Sequence, residues 1–388
     1  MAAGFAEFEG WWGENARLAW DTFSMKRTRG IPHKCVHTMD IEFIEDFSGH
    51  ERGEFRKDPD RVYLDFQRKA GACSIDQYIP TNPLTMGEKG FQAGTERKAT
   101  TGLERIVCDG IEIDSPEAVV EHMEKFVFPS LEKSLASPPT PQEEAERVAR
   151  IIEDEVAKQR LFGPNILKVP YRFSFPGFLY GRYGYQYYFM AYALYPEVME
   201  KYFRMQAEAS ARTNRIIARA VTEGGLPKVI RLDHDMADSR GTLVRIESLD
   251  RIWFPHFRRA IQPLLDAGIR LLWHCDGNLM QMVPRLIEAG VSGFQGFQYE
   301  DGMDYEKICR MKARDGGPLM IWAGVSVTRT LPFGTTDDVR KELRWLVEKG
   351  PEVGLFLGAS SSITPGTSRD NLRVFIEGLE YYRTRGRE

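Results

Sequence analysis

The stretch Trp273-His274-Cys275-Asp276-Gly277-Asn278 places an imidazole two positions before a carboxylate. It follows an apolar run that starts at Ile269, a pattern typical of a buried strand that ends in a polar loop. Side chains two positions apart on a strand point to the same face, so His274 and Asp276 should converge while Cys275 points away. Such a pair can bind a metal ion, share a proton or simply satisfy each other, and the spacing leaves all three interpretations open.

Polar residues also follow other apolar segments of the chain. Asp233-His234-Asp235 ends one of them, Gln298-Tyr299-Glu300 a second, and Ser360-Ser361-Ser362 a third. The carboxyl ends of parallel strands carry the chemistry of α/β enzymes, so these residues are candidates for a common site. We interpret His234, Asp235 and Glu300 as candidate acid–base groups. The alternative for His234 and Asp235 is a turn-capping aspartate beside a partly exposed histidine.

Two kinds of site are disfavoured by what these motifs lack. The segment Gly358-Ala-Ser-Ser-Ser has no Gly-x-Ser-x-Gly elbow, and no histidine follows His274 to serve a serine nucleophile. The missing later histidine also excludes the His-x-Asp…His ligand set of iron(II) oxygenases. Substrate contacts or a plain turn account better for the serines, and we take Gln298, Tyr299, Ser360 and Ser361 as candidate substrate-binding residues.

From residue 161 onward, apolar strand patterns alternate with helical ones. The strand candidates are Leu167–Phe175, Val229–Leu232, Arg270–Trp273, Gly293–Gln298, Leu319–Trp322 and Gly354–Leu357. The clearest helices are Ser248–Ala267, Met280–Ala289, Tyr305–Arg314, Thr335–Glu348 and Ser368–Arg383. With two further strands expected near Cys35 and Ser74, this alternation predicts a parallel α/β fold, a (β/α)8 TIM barrel. No Gly-x-Gly-x-x-Gly or phosphate-binding loop follows any of these strands, so nucleotide chemistry is disfavoured.

The first 160 residues are less regular. The Asp109-Gly110 pair between two apolar pairs predicts a β-hairpin, which does not belong to a βα repeat. Ser115 followed by proline predicts a capped helix start. We therefore expect a single domain over residues 1–388, with an N-terminal elaboration and the first strands in 1–160 and regular repeats in 161–388.

Composition narrows the class of protein. The chain has 388 residues with a net charge of −4, which gives no basic field for nucleic acid. Its five scattered cysteines form no Cys-x-x-Cys pair, and its start lacks a secretory pattern. The aromatic stretch from Phe173 to Tyr195 is too interrupted to span a membrane. These features predict a cytoplasmic enzyme with a small-molecule substrate, without nucleic acid or membrane partners, and leave a homodimer open.

Residues 160–385 resemble the uroporphyrinogen decarboxylase superfamily, which includes cobalamin-dependent methyltransferases on the same barrel. The motifs that carry the resemblance are Arg231-Leu-Asp-His-Asp-Met-Ala-Asp-Ser-Arg-Gly-Thr-Leu-Val, Trp253-Phe-Pro-His-Phe-Arg-Arg, His274-Cys-Asp-Gly-Asn, Gln298 with Gly302-Met-Asp304, Trp322-Ala-Gly-Val, Leu331-Pro-Phe-Gly-Thr and Ile363-Thr-Pro-Gly-Thr-Ser-Arg-Asp-Asn371. Within this pattern Arg240 becomes a further candidate substrate-binding residue. The arginine-rich N-terminal signature of the decarboxylase itself is not visible.

The resemblance also implies a metal site with an altered ligand set. Methyltransferases of this superfamily bind zinc through His-x-Cys and a distant cysteine, and the corresponding residues here are His274, Asp276 and Ser361. Both thiolates are absent, so a bound divalent metal, zinc first, would have an oxygen-rich shell. His274 and Asp276 are its expected ligands, with Asp235 or Glu300 as further candidates.

We therefore expect a methyltransferase-like enzyme of the demethylase type. Metal-assisted removal of a methyl group from a small methoxylated or methylated substrate would pass it to a corrinoid protein or other carrier. One alternative is a metal-independent decarboxylase or lyase that uses His234, Asp235 and His274 as acid–base groups. The other is a non-catalytic binding protein on the same barrel.

Overall fold

A parallel five-stranded sheet lies at the centre of the chain, which a computed structural model describes for residues 4–81 and 105–387. The strands in chain order are β1 (Ser74–Ile75), β2 (Val107–Cys108), β3 (Ile111–Glu112), β4 (Leu167–Lys168), β5 (Val229–Asp233), β6 (Ala237–Asp238), β7 (Gly241–Thr242), β8 (Arg270–Cys275), β9 (Gly293–Gly296), β10 (Met320–Val325) and β11 (Leu355–Ala359). The central sheet has the order β11-β10-β9-β8-β5, with every pairing parallel. Its strands are almost wholly buried, as apolar runs covered on both faces should be.

Helices surround and precede this sheet. In chain order they are α1 (Glu14–Phe23), α2 (Ile41–Ser48), α3 (Glu54–Lys57), α4 (Pro59–Lys69), α5 (Pro116–His122), α6 (Phe128–Ala136), α7 (Pro141–Phe162), α8 (Tyr180–Tyr183), α9 (Tyr185–Leu194), α10 (Pro196–Glu223), α11 (Ile246–Ile252), α12 (Phe254–Asp266), α13 (Val283–Ala289), α14 (Tyr305–Arg310), α15 (Thr330–Phe333), α16 (Thr336–Lys349) and α17 (Arg369–Arg385). A π-helical turn, Met123–Val127, joins α5 to α6. Short 3-10 helices span Gly4–Phe8 and Tyr299–Asp301.

The sheet extends beyond β11 through short parallel contacts. His33 bridges to Leu357 of β11, Lys34 bridges to Ser74 of β1, and β1 pairs with β4. Eight segments are thus linked side by side, in the order β4, β1, the segment at His33 and Lys34, β11, β10, β9, β8 and β5. Within residues 4–81 and 105–387 no backbone hydrogen bond joins β4 to β5, so the structure shows a parallel α/β sheet, and closure into a barrel stays a prediction.

The predicted strands from Leu167 onward are confirmed, with different ends. The segment predicted as Leu167–Phe175 is a strand only at Leu167–Lys168, because the following residues leave the sheet to contact β5 through their side chains. The predicted helix Ser248–Ala267 is two helices, α11 and α12, which meet at Trp253, where proline at position 255 starts the second one.

Among the predicted N-terminal features, the strand near Ser74, the hairpin and the helix start at Ser115 are confirmed, whereas the strand predicted near Cys35 is reduced to isolated bridges at His33 and Lys34. Strands β2 and β3 form an antiparallel hairpin whose turn residues, Asp109 and Gly110, have φ of 47° and 85°, the left-handed values that an Asp-Gly turn supplies. The Ser115 hydroxyl caps α5 by accepting from the backbone N–H of Ala118 at 3.2 Å. Thr140 and Glu143 form a capping box at the start of α7.

An aromatic layer closes the amino-terminal end of the sheet. Phe23 of α1 stacks on Phe356 of β11 at 4.4 Å between ring centroids and lies 6.0 Å from Trp322 of β10. Asp233 and His274 lie towards the opposite, carboxyl end of their strands. Across residues 4–81 and 105–387, no helix combines the length and apolar character needed to cross a membrane.

Candidate functional site

A polar cavity of about 110 Å³ lies at the carboxyl ends of the central strands. Strands β5, β8, β9 and β11, the segment around Lys34 and the loop after β1 all contribute to it. Its lining residues are Lys34, Cys35, His37, Asp76, Gln77, Arg231, Asp233, His274, Gln295, Ala359, Ser361 and Ser362. Larger cavities exist elsewhere, but this one combines imidazoles, carboxylates and cations at the sheet end where α/β enzymes bind ligands.

A buried ion-pair network forms one wall of the cavity. Arg231 of β5 donates from Nε to Asp76 at 2.6 Å and from NH1 to Asp233 at 2.7 Å. Its guanidinium also lies 4.9 Å from the ring of Tyr171, whose hydroxyl donates to Asp233 at 3.0 Å. Burial alone would raise the pKa of Asp76, but the charges of Arg231 and then Lys34 outweigh it and lower that pKa well below its usual range. The network is therefore ionised.

His274 lies in the middle of the cavity floor. The β5–β8 register sets it beside Asp233, and the β8–β9 register sets it beside Gln295. Its Nδ1 is 3.3 Å from the Gln295 carbonyl, which can only accept, so Nδ1 carries the proton and Nε2 keeps its lone pair. Burial lowers the pKa of His274 to about 4 although the charge of Asp233 opposes this shift. The imidazole is thus neutral at pH 7.

Asp276 carries an unpaired buried oxygen. Ser361 donates to its Oδ2 at 3.2 Å, and its backbone N–H donates to Asp235 at 3.1 Å. Within the described ranges, Asp276 Oδ1 is buried and has no hydrogen-bond partner. Burial, and secondly the charge of Asp235, raise the pKa of Asp276 to about 6. This carboxyl can therefore hold a proton close to neutral pH.

The N-terminal segment adds two basic residues to the cavity. Lys34 has a pKa lowered by burial and then by the neighbouring charge of Arg231. His37 has a pKa lowered to about 4 by burial. Both lie in the part of the chain predicted to hold the first strand, and neither was among the predicted site residues.

The structure separates His234 from Asp235. The His234 Nε2 accepts from the backbone N–H of Phe178 at 2.8 Å, and its ring stacks on Tyr180 with centroids 5.6 Å apart. Burial lowers the pKa of His234 to about 4, so it is a neutral member of an aromatic cluster. Asp235 instead lies at the exposed mouth, next to the backbone of Asp276.

The residues predicted after β9 hold loops around the cavity. Gln298 accepts from the backbone N–H of Gly277 at 2.6 Å and so fixes the loop that follows β8. Tyr299 donates to the Gly324 carbonyl at 2.6 Å. Glu300 accepts from Ser326 at 2.8 Å and from Thr328. Glu300 lies outside the set of residues that line the cavity.

The remaining predicted residues divide between surface and interior. Arg240, in the β6–β7 hairpin, has an 89% exposed side chain paired with Asp238 at 2.7 Å. Ser360 is buried, and its hydroxyl accepts from the backbone N–H of Val327 at 3.1 Å. Of these serines, Ser361 is the one that contacts Asp276. His274 and Ser361 line the cavity, and Asp276 lies beside it, outside the lining set, through its contact with Ser361.

The metal prediction can be compared with this donor set. Residues 4–81 and 105–387 contain no group of three or more histidine, cysteine, aspartate or glutamate side chains arranged to hold a metal ion. His274 and Asp276 supply two donors, whereas zinc takes three or four protein ligands. Lys34 and Arg231 also bring positive charge to the same cavity. These residues alone are not a zinc ligand set, and zinc stays a prediction.

From the sequence, Asp76 and Arg231 received no site role, and Asp233 was named only as a residue at a strand end. A signal was present in Val229-Ile-Arg-Leu-Asp233, because an arginine inside an apolar strand must find buried carboxylates and the aspartate two positions later shares its face. Lys34 carried no comparable signal, since a lysine near the start of an irregular segment is usually solvated.

The fold of this chain is similar to that of solved structures of other proteins. No protein-family model matches the chain, and no curated protein does. The fold is similar to that of a methyltransferase from Methanosarcina mazei, with a TM-score of 0.51 and 15% sequence identity, covering 95% of this chain and 98% of the other. At this identity the likeness shows a shared fold over nearly the whole chain.

Proposed function

We propose that the chain is a methyltransferase-like enzyme of the uroporphyrinogen decarboxylase superfamily, built on a closed (β/α)8 barrel. It removes a methyl group from an oxygen of a small substrate and passes it to a carrier such as a corrinoid protein. The fold shared with a methyltransferase supports this proposal. The observation that carries it is the Asp276 carboxyl, whose buried Oδ1 has no partner among the described residues and whose pKa is raised to about 6.

The chemistry requires a proton at the oxygen that loses its methyl group. In the transfer, an electron pair of the acceptor forms the new bond to the methyl carbon, and the C–O electron pair stays on the substrate oxygen. Asp276 gives its proton to that oxygen and becomes a carboxylate. Because Oδ2 accepts from Ser361, the transferable proton sits on Oδ1, the atom without a protein partner.

His274 and Asp235 complete this arrangement. His274 is neutral and presents Nε2 as an acceptor that can orient a substrate hydroxyl or the product of demethylation. Asp235 lies at the exposed mouth and accepts from the Asp276 backbone, where it is placed to return a proton from solvent. If zinc binds, His274 and Asp276 would hold it, with Asp235 or Glu300 as a further ligand, and the metal would polarise the substrate oxygen in place of the Asp276 proton. The steps above do not depend on it.

Methyl transfer to reduced cobalamin tests the proposal. Purified protein is incubated with methoxyacetate and a panel of methoxylated benzoates, and methylcobalamin is followed by absorbance. We expect transfer by the wild type and a rate at least about 100-fold lower for Asp276→Asn, which keeps the shape but loses the proton. Asp266→Asn, on the exposed side of α12, is the matched control and should keep the wild-type rate. Absence of methylcobalamin across the panel would rule the proposal out.

Elemental analysis tests the metal. The wild type and His274→Ala are reconstituted with zinc, desalted and measured. One equivalent of zinc retained by the wild type and lost in the variant would support the metal-assisted form. Equal zinc in both would contradict His274 as a ligand.

A metal-independent decarboxylase is the second candidate, favoured by the cationic Lys34 and Arg231 in the cavity. Loss of CO₂ leaves its electron pair on the substrate carbon, and Asp276 would protonate that carbon. Release of CO₂ from a small carboxylate without any methyl acceptor would favour this candidate over methyl transfer. Ligand binding with neither reaction would indicate a binding protein.

A further inference from the structure

The backbone of Lys34 is fixed between two strands of the sheet. Its N–H donates to the Leu357 carbonyl of β11 at 3.2 Å, and it bridges to Ser74 of β1. Its side chain lines the polar cavity. Lys34 is therefore presented to the cavity by the rigid part of the fold and not by a loose loop.

A glycine makes room for the lysine side chain. A Cβ on Gly358 would lie 3.1 Å from both Cγ and Cε of Lys34, closer than ordinary packing allows. The Lys34 Nζ lies 5.9 Å from the centroid of the Trp322 ring. The stem is thus packed along β11 and β10, which restricts where the ammonium group can go.

The ammonium group makes no ion pair of its own among the described residues, and the carboxylates whose charges reach it, Asp76 and Asp233, are paired with Arg231. Within residues 4–81 and 105–387, no carboxylate lies within ion-pair distance of Lys34 Nζ. The other cations buried nearby are paired: Arg231 with Asp76 and Asp233, and Lys168 with Glu155 at 2.9 Å. A cation taken out of water without a partner is costly, and an anion that enters the cavity would relieve that cost.

We propose that Lys34 determines the specificity of the cavity by pairing its ammonium group with a carboxylate of the substrate. The inference rests on the proposed function in one respect, that this cavity is the substrate site. It adds the substrate class: small monocarboxylates with a methylated oxygen near the carboxylate. The cavity of about 110 Å³ suits a molecule the size of methoxyacetate.

The surrounding charges agree with an anionic ligand. The carboxylates of Asp76 and Asp233 are already engaged by Arg231. The pKa of Lys34 is lowered by burial, and a bound anion would move it back towards its ordinary value.

The test compares methoxyacetate with the uncharged and nearly isosteric methoxyacetamide by isothermal titration calorimetry at pH 6, without any methyl acceptor. We expect the wild type to bind methoxyacetate about tenfold more tightly or better. Lys34→Met should bind both ligands equally, because methionine keeps the stem and loses the charge. Lys341→Met, on the exposed side of α16, is the matched control and should keep the wild-type preference.

Folding of Lys34→Met is checked by its thermal melt, and replacement of an unpaired buried ammonium by an apolar chain should not destabilise the protein. Equal affinity of the wild type for the two ligands, or no binding of either, overturns the inference. So does a folded Lys34→Met that keeps the preference for methoxyacetate. If the wild type prefers methoxyacetate but forms no methylcobalamin, the inference about Lys34 holds and the proposal of methyl transfer fails. The two proposals can therefore fail separately.

Discussion

At the scale of single residues, the site depends on two neighbouring groups with opposite pKa shifts. Burial disfavours the charged form of each group, so the pKa of His274 falls to about 4 and that of Asp276 rises to about 6. At neutral pH the imidazole is therefore an acceptor, and Asp276 is the group close to its protonation midpoint. Acid–base roles follow from such separated pKa values.

The pH dependence of methyl transfer should report on Asp276. The active form is the protonated acid, so the rate should be highest at low pH and fall as pH rises through about 6. Ser361→Ala removes a hydrogen bond that lowers this pKa, so the descending limb should move to higher pH by about 0.4 to 1 unit. The measurement is the initial rate of methylcobalamin formation from pH 5 to 8. A limb at the same pH in both proteins would contradict the role of Asp276.

At the scale of elements, Arg231 links strands that the backbone leaves unjoined. It lies on β5, at one end of the order of segments, yet its ion pair is with Asp76, directly after β1, which pairs with β4 at the other end. Tyr171, just after β4, contacts Asp233 of β5 as well. Among the described segments, no backbone hydrogen bond joins β4 to β5, and side chains bridge this junction instead. The proposed barrel closure requires such contacts.

Removing Arg231 should destabilise the protein strongly. Arg231→Met would leave Asp76 and Asp233 buried without their cation, which typically costs about 3 to 5 kcal/mol. Arg285→Met, which breaks a partly exposed pair with Asp250, is the matched control and should cost less than about 1 kcal/mol. Urea unfolding followed by circular dichroism gives both values. A cost for Arg231→Met no larger than that of the control would show that the network does not hold this junction.

At the scale of the whole molecule, buried neutral histidines link stability to pH. Burial is the largest cause of a pKa of about 4 for His33, His37, His234 and His274. Below pH 6.5 the unfolded chain takes up protons that the folded chain does not, so stability is fully present above 6.5 and is lost as pH falls towards 4. Asp276 acts in the opposite direction, because its raised pKa makes the folded chain take up a proton as pH falls through about 6.

The free energy of unfolding should therefore fall by several kcal/mol between pH 7 and pH 4.5, at about 1.4 kcal/mol per pH unit for each proton taken up only by the unfolded chain. Urea unfolding at intervals of half a pH unit measures it. His33→Gln should lower the slope by one proton, since His33 is fully buried and is not among the residues that line the cavity. A free energy independent of pH in this range would refute the linkage.

The sequence by itself determined the local elements and part of the site. Apolar runs separated by helical patterns predicted the central strands, and an Asp-Gly pair and a serine before proline predicted the hairpin and a helix start, because these signals act over a few residues. The two-residue spacing of His274 and Asp276 predicted that both would face one spot. It could not give the pKa values, since burial depends on what packs above them.

Only the tertiary structure decided the other half of the site. Lys34 and Asp76 lie about 150 to 250 residues from Arg231 and His274, and strand pairing brings these residues to one cavity. The same packing turned His234 towards Tyr180 and left Arg240 on the surface, although both stood near strand ends in the sequence. The reason is physical: spacing along a strand fixes the face of a side chain, whereas its neighbours, charge partners and exposure to water are fixed by segments distant in the chain.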